Sequence, residues 1–534
     1  MNEYFHPVLT NQAAKDYEKA FFEKKGSDEW SMMQDVGARL GEQIYLDTLE
    51  VGGFSVNPSI LLVLGKGHNA GDAVLAVDHL TNKVSKLKLS VLWGGPYKTR
   101  RPALQKAWNN LIDRKNIVLR EKTVKLSDSV ADLVNWLREE NHYQLALDGL
   151  LGMSFSPPLR TPIDKIILAF NEYQAIVSRV AVDLPSGITD PASDGLSMKA
   201  TVTYATGIVK SAVVQRRNRE KVGRLRYLDT GFWNSSQDFP KSQQAVLSPK
   251  CGSFLNTWRN PNTHKKHYGH LLIVGGSRAM PGALLLTAKA ALRSGVGLVT
   301  VAVPESILPA VCGQVPEAMW LPLPETEEGT LALEGMRDLK SIPSSINALL
   351  MGPGLGNSKE TTQLVVDFLQ EWKGPFVLDA SGLTPLILPV LKDREKQGFA
   401  GGVLTPHMGE YRRIIAPEGI DPESDKDMVS FSSKHHCLVL RKDSISVLTD
   451  GKGLIYQPYG GPILARGGSG DILAGLIAGR VAIHNQSSLA SVSEGWFWHG
   501  KAADYWAQDR GAEGVNISEL LEYLPNVRQN DDWE

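Results

Sequence analysis

GGPILARGGSGDILAGLIAG, residues 460–479, is the stretch around which the rest of the chain can be arranged. Gly467, Gly468 and Gly470 allow the backbone to turn sharply and to approach a ligand closely. Behind these glycines, apolar residues recur at helical spacing: Ile472, Leu473, Leu476 and Ile477. The stretch therefore predicts a tight turn that leads into a helix beginning near residue 469 or 470.

The start of this helix is a predicted phosphate site. Free N–H groups and the positive end of the helix dipole attract anions, so Gly467, Gly468, Ser469 and Gly470 are expected to bind phosphate. Asp471, in the first helical turn, is placed to accept a proton from a hydroxyl that attacks phosphorus. The alternative interpretation is a glycine turn with Asp471 as a helix cap. Three glycines, a hydroxyl and an acid within five residues favour the phosphate site.

Composition narrows the class of protein. A chain of 534 residues suits two or three domains. The 57 Lys and Arg residues balance 58 Asp and Glu residues, so no basic field for nucleic acid exists. No apolar run approaches the about 20 residues of a membrane span, and the N-terminus lacks an apolar signal core. Cys251, Cys312 and Cys437 form no metal-type or disulfide pattern, which predicts a cytoplasmic protein.

The first half of the chain alternates short apolar strands with helical segments, which predicts a doubly wound parallel sheet. The strand at 60–64 leads into a glycine turn that contains Asn69, and two later strands end at Asp148 and Asp183. Strand ends of such a sheet converge on one crevice, so Asn69, Asp148 and Ser186 are predicted oxygen ligands of a potassium or magnesium ion. Taken singly, each of these residues could instead cap a helix or a turn.

Three motifs of this half, GKGHNAGDA (65–73), DGLLGMSFSPP (148–158) and VAVDLPSG (180–187), resemble the signatures of the NAD(P)H-hydrate epimerase domain. The resemblance implies a Rossmann-like fold, interconversion of the R and S epimers of hydrated NADH and NADPH, and bound potassium at Asn69, Asp148 and Ser186. It also makes Asp183 the catalytic acid or base. The residues that it implies for dinucleotide binding are His68, Asn69, Ala70, Gly71, Asp72, Gly152, Met153, Ser154 and Asp183.

The glycine turn of this half departs from the family pattern at three positions. His68 stands where the family has an asparagine, and Ala70 and Ala73 stand where it has glycines. An alanine adds a methyl group and disfavours positive φ, so it works against close approach of the backbone to a ligand. The sequence therefore leaves open a second interpretation, in which this half is a non-catalytic binding module.

The second half carries six motifs in order: GHLLIVGGSRAMPGA (269–283), SGVGLVTVAVPE (294–305), MGPGLG (351–356), LTPHMGE (404–410), GGSGDILAGLIAG (467–479) and HGKAAD (499–504). Together they resemble the ADP- or ATP-dependent NAD(P)H-hydrate dehydratase domain, which has a ribokinase-like fold. That resemblance implies an α/β/α sandwich. It also implies that ADP or ATP phosphorylates the hydrate, and the chemistry calls for a cation such as magnesium.

The dehydratase resemblance also assigns residues. Gly467–Gly470 would bind the nucleotide phosphates, and Asp471 would be the base that activates the substrate hydroxyl. Arg441 and Lys442 stand where the family has a lysine–glycine pair near the adenine nucleotide, and Ser381 replaces a second aspartate. The residues implied for the hydrated nicotinamide pocket are Ala283, Gly354, Gly356, His407 and Asp471. His407, which follows a Thr-Pro pair, could also be an ordinary turn residue.

We therefore expect two α/β domains: a Rossmann-like doubly wound epimerase domain over 1–236, a linker and entry segment over 237–262, and a ribokinase-like dehydratase domain over 263–529. The expected partners are NAD(P)H hydrates and an adenine nucleotide, with no nucleic acid and no membrane, in a homo-oligomer. The alternative function is a small-molecule kinase of the ribokinase superfamily that makes a stable phosphoester, joined to a non-catalytic N-terminal module.

Overall fold

The computed structural model describes residues 3–25, 28–190, 195–233 and 240–527. The chain divides into two compact units. The N-terminal unit comprises the described residues of His6–Val246 with Ala507–Ala512, and the C-terminal unit comprises Leu247–Trp506 with the described residues of Met1–Phe5 and Glu513–Glu534. The expected boundary at 236–237 and the expected domain end at 529 lie outside the described residues.

The N-terminal unit is built on a parallel sheet. The strands of the first half of the chain are β1 (Phe5–Pro7), β2 (Ser59–Leu64), β3 (Leu87–Trp93), β4 (Ile117–Thr123), β5 (Tyr143–Gly149), β6 (Ile176–Val182), β7 (Val202–Thr206), β8 (Arg224–Leu228) and β9 (Gln244–Leu247). Strands β2–β8 lie in the order β4-β3-β2-β5-β6-β7-β8, and all neighbours run parallel. The strand order reverses between β2 and β5, so this is the doubly wound sheet that the sequence predicts.

Helices cover both faces of this sheet, because both faces of its central strands are apolar. Ile60, Leu62 and Leu64 of β2 belong to one buried cluster, whereas Leu61 and Val63 belong to another. Successive side chains of a strand point to opposite faces, so a continuous apolar run predicts a strand covered on both sides. The helices are α1 (Asn11–Lys25), α2 (Glu29–Leu49), α3 (His68–Leu80), α4 (Pro102–Ile112), α5 (Val130–Arg138), α6 (Ile163–Glu172), α7 (Ser211–Val214) and α8 (Arg219–Val222).

The C-terminal unit has a second, mixed sheet. Its strands are β10 (His270–Val274), β11 (Leu298–Pro304), β12 (Met319–Leu323), β13 (Ala348–Met351), β14 (Phe376–Leu378), β15 (Gly402–Leu404), β16 (Cys437–Arg441), β17 (Val447–Thr449) and β18 (Leu454–Tyr456). They lie in the order β18-β17-β16-β15-β14-β13-β10-β11-β12. The pairs from β12 to β16 are parallel, and β16-β17-β18 is antiparallel. This confirms the predicted α/β class with two α/β units.

The strand order of this sheet reverses between β10 and β13, which places the ends of β13–β16 side by side. The helices of the second half are α9 (Pro281–Arg293), α10 (Leu308–Val311), α11 (Met336–Lys340), α12 (Lys359–Glu371), α13 (Ile387–Lys396), α14 (Met408–Ile415), α15 (Asp425–His435), α16 (Ser469–His484), α17 (Leu489–Arg510) and α18 (Leu520–Tyr523). Within the described part of the chain, no helix is both long and apolar enough to cross a membrane.

Candidate functional sites

The predicted cation ligands lie at the switch point of the N-terminal sheet. Asp148, near the end of β5, is 2% exposed, and both of its carboxylate oxygens accept hydrogen bonds from Ser186: Oδ2 from the backbone N–H (2.7 Å) and Oδ1 from the hydroxyl (2.6 Å). The N–H of Leu150 donates to Oδ1 as well (3.1 Å). Burial raises the pKa of Asp148 to about 6, against these hydrogen bonds, which lower it.

Asn69, at the start of α3, faces the same strand ends. Its amide Nδ2 donates to the carbonyl oxygens of Val182 (2.9 Å) and Leu151 (3.4 Å), and Leu151 N–H donates to Ser186 Oγ (2.8 Å). A Cβ on Gly152 would lie 2.8 Å from Asn69 Oδ1, so a side chain at this position would displace the Asn69 amide. The structure thus links Asn69, Ser186 and Asp148 through one continuous hydrogen-bonded path.

Asp183, the predicted acid or base, follows β6 with a backbone φ of +69°. This left-handed conformation is uncommon outside glycine and tends to occur where a side chain has a functional position to keep. Asp183 Oδ1 accepts a hydrogen bond from Lys210 Nζ at 2.6 Å, and the two side chains are 6% and 1% exposed. The result is a buried ion pair. Its lysine, Lys210, is the residue directly before α7.

A cavity of about 380 Å³ opens beside this ion pair. Two more carboxyl groups line it, in addition to that of Glu29 at its mouth. Asp72, in α3, is 9% exposed, and Glu18, in α1, is half-buried. Burial first, and then the charges of Asp183 and Glu18, raise the pKa of Asp72 well above its ordinary value. Burial raises the pKa of Glu18 to about 6, although Lys210 lowers it.

The cavity collects most of the residues predicted to bind the dinucleotide. These lining residues are His68, Asn69, Ala70, Asp72, Gly152, Met153, Ser154 and Asp183. Gly71 lies behind them: a Cβ there would come 2.4 Å from the sulfur of Met33 in α2, so this glycine serves helix packing. At the mouth, Nε2 of His68 lies 2.5 Å from Glu29 Oε1 and 2.8 Å from Arg101 Nη1, and all three side chains are about half exposed.

The two alanines of the glycine turn are not strained. Ala70 and Ala73 lie inside α3 and are absent from the residues with positive φ, so their methyl groups cost no backbone strain. Both are fully buried, but only Ala70 lines the cavity. Ala73 packs on the end of β5, where a Cβ on Gly149 would come 3.1 Å from its methyl carbon. The methyl group of Ala70 therefore affects the shape of the cavity, whereas that of Ala73 affects the packing of α3 on β5.

In the C-terminal unit, α16 begins at Ser469, directly behind Gly468, which has a φ of +94°. This confirms the predicted turn and helix start. No side chain caps the helix, so its first N–H groups point into the turn, as an anion site requires. Behind the turn, His499 is buried with Nε2 3.4 Å from Ser469 Oγ, and burial lowers its pKa to about 4.

Asp471 lies in a group of carboxylates around one lysine. Burial raises the pKa of Asp471 to about 6; Asp379 and Glu410 add to the rise, and Lys442 opposes it. Lys442 Nζ donates to Asp379 Oδ1 at 2.7 Å. Burial alone would lower the pKa of Lys442, but Asp379, Glu410 and Asp471 raise it overall. A Cβ on Gly470 would lie 3.2 Å from Lys442 Nζ, so the glycine loop and the lysine meet.

Arg441 and Lys442 have different surroundings, although they are adjacent in sequence. Arg441 is 0% exposed, and its guanidinium donates to Asp425 Oδ1 (3.0 Å) and to the carbonyl of Pro422 (3.1 Å). Successive residues of a strand point to opposite faces, so only Lys442 faces the loop. Contact between Arg441 and a nucleotide stays a prediction, and it would require this side chain to leave its buried position.

His407 is the N-cap of α14. Its Nδ1 accepts hydrogen bonds from the N–H groups of Gly409 (3.0 Å) and Glu410 (3.3 Å), and Glu410 Oε2 accepts one from the His407 N–H (2.9 Å). The contacts of His407 are therefore those of a turn residue that caps a helix. Its side chain is nevertheless 61% exposed. His407 and Glu410 also line a cavity of about 230 Å³ with Ser381 and Arg413, so a ligand role is compatible with the cap.

The other predicted pocket residues gather at the ends of β10 and β13. Gly354 has a φ of +69°, and a Cβ there would meet the carbonyl oxygen of Met280 at 2.5 Å and the Cβ of Ala283 at 3.4 Å. Gly356, with a φ of +80°, packs on Thr330 in the same way. Thr287 joins this region to the phosphate loop, because its hydroxyl donates to the carbonyls of Ala283 (2.9 Å) and Asp471 (3.2 Å).

Comparisons with known proteins match both halves of the chain. A family model described as NAD(P)H-hydrate dehydratase matches residues 271–526, and a model described as YjeF-related protein N-terminus matches residues 31–212. The bifunctional NAD(P)H-hydrate repair enzyme Nnr of Moorella thermoacetica is 30% identical over 513 residues, which cover 93% of this chain and 92% of that protein. The chain belongs to the family of bifunctional NAD(P)H-hydrate repair enzymes.

A second curated relative and one solved structure are also similar to this chain. The enzyme of the same name from a Synechocystis species is 32% identical over 490 residues, covering 89% of this chain and 87% of that protein. Among solved structures, an ADP/ATP-dependent NAD(P)H-hydrate dehydratase from Bacillus subtilis, co-crystallised with ATP and Mg²⁺, is 26% identical. It covers 50% of this chain and 92% of its own, with a TM-score of 0.42.

Sequence reasoning did not identify every charged residue that the structure places in the two repair-enzyme sites. It missed Glu18 and Lys210 in the N-terminal unit and gave no role to Asp379 or Glu410 in the C-terminal unit. Glu18 and Lys210 lie in segments without a motif, so only the fold reveals them. Asp379 and Glu410 had a signal, because Asp379 directly follows the parallel strand β14 and Glu410 ends the motif LTPHMGE. No group of three or more His, Cys, Asp or Glu side chains within the described ranges is arranged as a metal site.

Proposed function

We propose that the N-terminal unit interconverts the R and S epimers of hydrated NAD(P)H and that the C-terminal unit dehydrates the S hydrate back to NAD(P)H with ADP or ATP. One observation supports this proposal most: Asp471 lies at the uncapped N-terminus of α16, behind a glycine turn and next to Lys442. A phosphate group bound at these N–H groups would have a carboxylate base beside it.

In the C-terminal unit, Asp471 would take the proton from the ring hydroxyl as the hydroxyl oxygen bonds to the terminal phosphorus of the nucleotide. With a pKa of about 6, Asp471 is mostly ionised at neutral pH and still basic enough to hold a proton. Phosphate then leaves with the ring oxygen, because it is a better leaving group than hydroxide, and the neighbouring ring carbon loses a proton to water, which forms the C=C bond of NAD(P)H. Lys442 would stabilise the negative charge that develops on the phosphate oxygens.

In the N-terminal unit, the hydrate would lie in the cavity of about 380 Å³, with Asp183 as the group that exchanges protons with it. The ion pair with Lys210 fixes the orientation of the Asp183 carboxylate. Lys66 and Arg101, beside His68 at the mouth, offer positive charge to the phosphates of a dinucleotide.

Both expected cations suit the residues that would hold them. Potassium prefers oxygen ligands, and Asn69, Asp148 and Ser186 supply three; Asn69 Oδ1 accepts no hydrogen bond from any described residue. Asp148→Asn should then remove any potassium dependence of epimer exchange, which a titration with potassium chloride would measure.

Magnesium would bind with the nucleotide at Asp379 and Asp471. These two carboxylates and that of Glu410 surround the single ammonium group of Lys442. There it would neutralise phosphate charge.

Three further parts complete the proposal. The two activities divide between residues 1–236 and 263–529, with 237–262 as linker and entry segment. The location is the cytoplasm, which the three free cysteines support because reducing compartments keep thiols unpaired. The assembly is a homo-oligomer, which sedimentation of the purified chain would test.

The deciding experiment is incubation of the purified chain with both epimers of hydrated NADH and with ADP or ATP. We expect the absorbance of reduced nicotinamide to return for both epimers. Consumption of the S epimer alone would remove the epimerase from the proposal. Accumulation of a stable phosphoester, without reduced nicotinamide, would instead identify a small-molecule kinase.

A further inference from the structure

Besides the exposed charged residues at its mouth, the cavity of the N-terminal unit is lined by three carboxyl groups and one ammonium group. Glu18, Asp72 and Asp183 line it together with a single buried ammonium group, that of Lys210, and their charges interact with one another. Lys210 makes its short hydrogen bond, 2.6 Å, to Asp183. Across residues 3–25, 28–190, 195–233 and 240–527, the carboxyl groups of Asp72 and Glu18 make no hydrogen bond or ion pair.

This unequal pairing gives the carboxyl groups different surroundings. An ionised carboxylate that is 9% exposed and has no partner is costly, so Asp72 keeps its proton and its pKa rises well above the ordinary value. Asp183, in contrast, has Lys210 as a counter-ion. Two titratable groups whose environments differ in this way are suited to act as an acid and a base in one reaction.

We propose that Asp72 donates the proton and Asp183 accepts the proton when the hydrate is epimerised, and that Glu18 returns the proton from Asp183 to Asp72. The proposal rests on the epimerase activity proposed above. It adds a proton donor, distinct from the base, and a positioning residue that no motif of the sequence singles out.

The hydrate carries its hydroxyl on the ring carbon next to the ring nitrogen. The electron pair of this nitrogen can therefore help to break the C–O bond. The C–O bond breaks as the proton of Asp72 moves to the leaving oxygen, and the electron pair of the ring nitrogen forms a C=N bond. The product is one water molecule and a cationic ring. A second water molecule then adds to the opposite face, the C=N electrons return to nitrogen, and Asp183 takes the proton of the incoming water.

The atoms balance, but one proton has moved from Asp72 to Asp183 and must return before the next turnover. Glu18 is suited to this task, because its charge interacts with Asp183 and Asp72 and its pKa of about 6 lets it both take and release a proton at neutral pH. It is also half-buried, so it reaches solvent where Asp72 does not. Glu18 therefore acts through the other two carboxyl groups and not on the substrate.

Isotope labelling tests the bond that breaks. The wild-type chain is given the hydrate in water labelled with a heavy oxygen isotope, and each epimer is analysed by mass. Because the entering water adds to the face opposite the leaving one, every inversion should place one heavy oxygen in the product. Inversion without label would mean that the ring C–N bond opens instead, which would overturn the proposal. No inversion above the rate in buffer would overturn the epimerase activity itself.

Variants of the full-length chain test the residues. Asp72→Asn keeps the shape and a hydrogen-bond donor but has no proton to transfer, so the kcat of exchange should fall about 10²–10⁴-fold with KM little changed. Calorimetric binding of the hydrate to the variant shows that the cavity is still formed, and nucleotide-dependent dehydration shows that the chain is still active. Retention of exchange by Asp72→Asn would contradict its role as donor.

Glu18→Gln should lower kcat by about tenfold without changing KM, and a small external acid such as imidazolium should restore the rate, because it can carry the proton instead. A merely structural role would not give this rescue. The matched control is Asp16→Asn, on the same helix, whose exposed carboxylate bonds only to Gln12; it should leave exchange unchanged. Equal kcat in Glu18→Gln and Asp16→Asn would remove Glu18 from the pathway.

Discussion

The two sites have the same position in their sheets, but the charges around their carboxyl groups are arranged differently. Each lies at the carboxyl ends of parallel strands, where the strand order reverses, between β2 and β5 in one unit and next to β10 and β13 in the other. In the N-terminal unit, Lys210 bonds to Asp183, and its charge lowers the pKa of Asp72, but burial and the charges of Asp183 and Glu18 keep that pKa well above the ordinary value. In the C-terminal unit, Lys442 bonds to Asp379, and its charge also lowers the pKa of Asp471.

The difference fits the chemistry proposed for each unit. Epimerisation needs an acid and a base together, so a buried carboxyl that keeps its proton is useful. Phosphorylation of a hydroxyl needs a base next to an anion, so the carboxylate must stay ionised while phosphate lies close to it. The helix dipole of α16 and the ammonium group of Lys442 both favour the ionised form of Asp471. A carboxyl group in the first turns of a helix thus becomes an acid or a base according to its burial and to the charges around it.

The largest expected effect is that of Asp471→Asn. The variant keeps the shape of the loop but has no base, so nucleotide-dependent dehydration should fall about 10²–10⁴-fold, whereas epimer exchange in the other unit should be unchanged. Both rates are measured on the same preparation. Asp393→Asn, whose half-exposed carboxylate pairs with Lys396, serves as the control. A wild-type rate of dehydration in Asp471→Asn would show that Asp471 is not the base. The contrast between the two sites would then also be wrong.

Lys442→Gln should have the next largest effect. Lys442 lowers the pKa of Asp471, so its loss should move the acid limb of the pH–rate profile from near pH 6 to higher pH. At pH 7 we expect about a tenfold loss of kcat/KM. The loss should shrink as the pH is raised to 8.5, because that pH is roughly two units or more above the acid limb of the wild type. The profile of kcat/KM against pH is the measurement. A uniform loss at all pH values would show that Lys442 binds phosphate but does not tune the base.

Asp471→Asn should also change the pH dependence of stability. The folded-state pKa, about 6, exceeds the ordinary 3.8, so the native state binds the proton more tightly than the unfolded state. Stability of the wild type therefore falls as the pH rises through this range, and the ionised carboxylate costs about 1–3 kcal/mol above it. The variant should be more stable than the wild type at pH 8 by that amount and equal to it near pH 4, as measured by urea unfolding. An equal free energy of unfolding at pH 8 would contradict the burial of Asp471.

The smallest effects concern Ala70 and Ala73. Ala73→Gly should cost about 1 kcal/mol of stability as a glycine inside α3, with no change in hydrate binding, because Ala73 does not line the cavity. Ala70→Gly should tighten binding by a few fold, because it removes a methyl group from the cavity wall. Calorimetry of the hydrate and thermal unfolding of each single variant are the measurements. Tighter binding in Ala73→Gly would show that both methyl groups restrict the ligand.

Much of the fold and of each site could be predicted from local pattern. Apolar runs such as that of β2, covered on both faces, reveal parallel strands, and glycine turns behind them reveal where a ligand can approach. Asp148, Asp183 and Asp471 could be recognised because each follows a strand or a glycine turn directly in the sequence. The helix start at Ser469 was predictable for the same reason, since a glycine with positive φ and the helix behind it are adjacent residues.

What only the tertiary structure decided is which charges share a site. Lys442 and Asp379 are 63 positions apart, and Lys210 and Asp183 are 27 apart, yet each pair forms one short ion pair. Strand pleating turned Arg441 away from the loop that Lys442 faces, and helix α3 gave Ala70 and Ala73 negative φ. A sequence specifies local conformation through each residue's own preferences, whereas the pKa of a carboxyl depends on burial and on charges that only the folded chain brings near it.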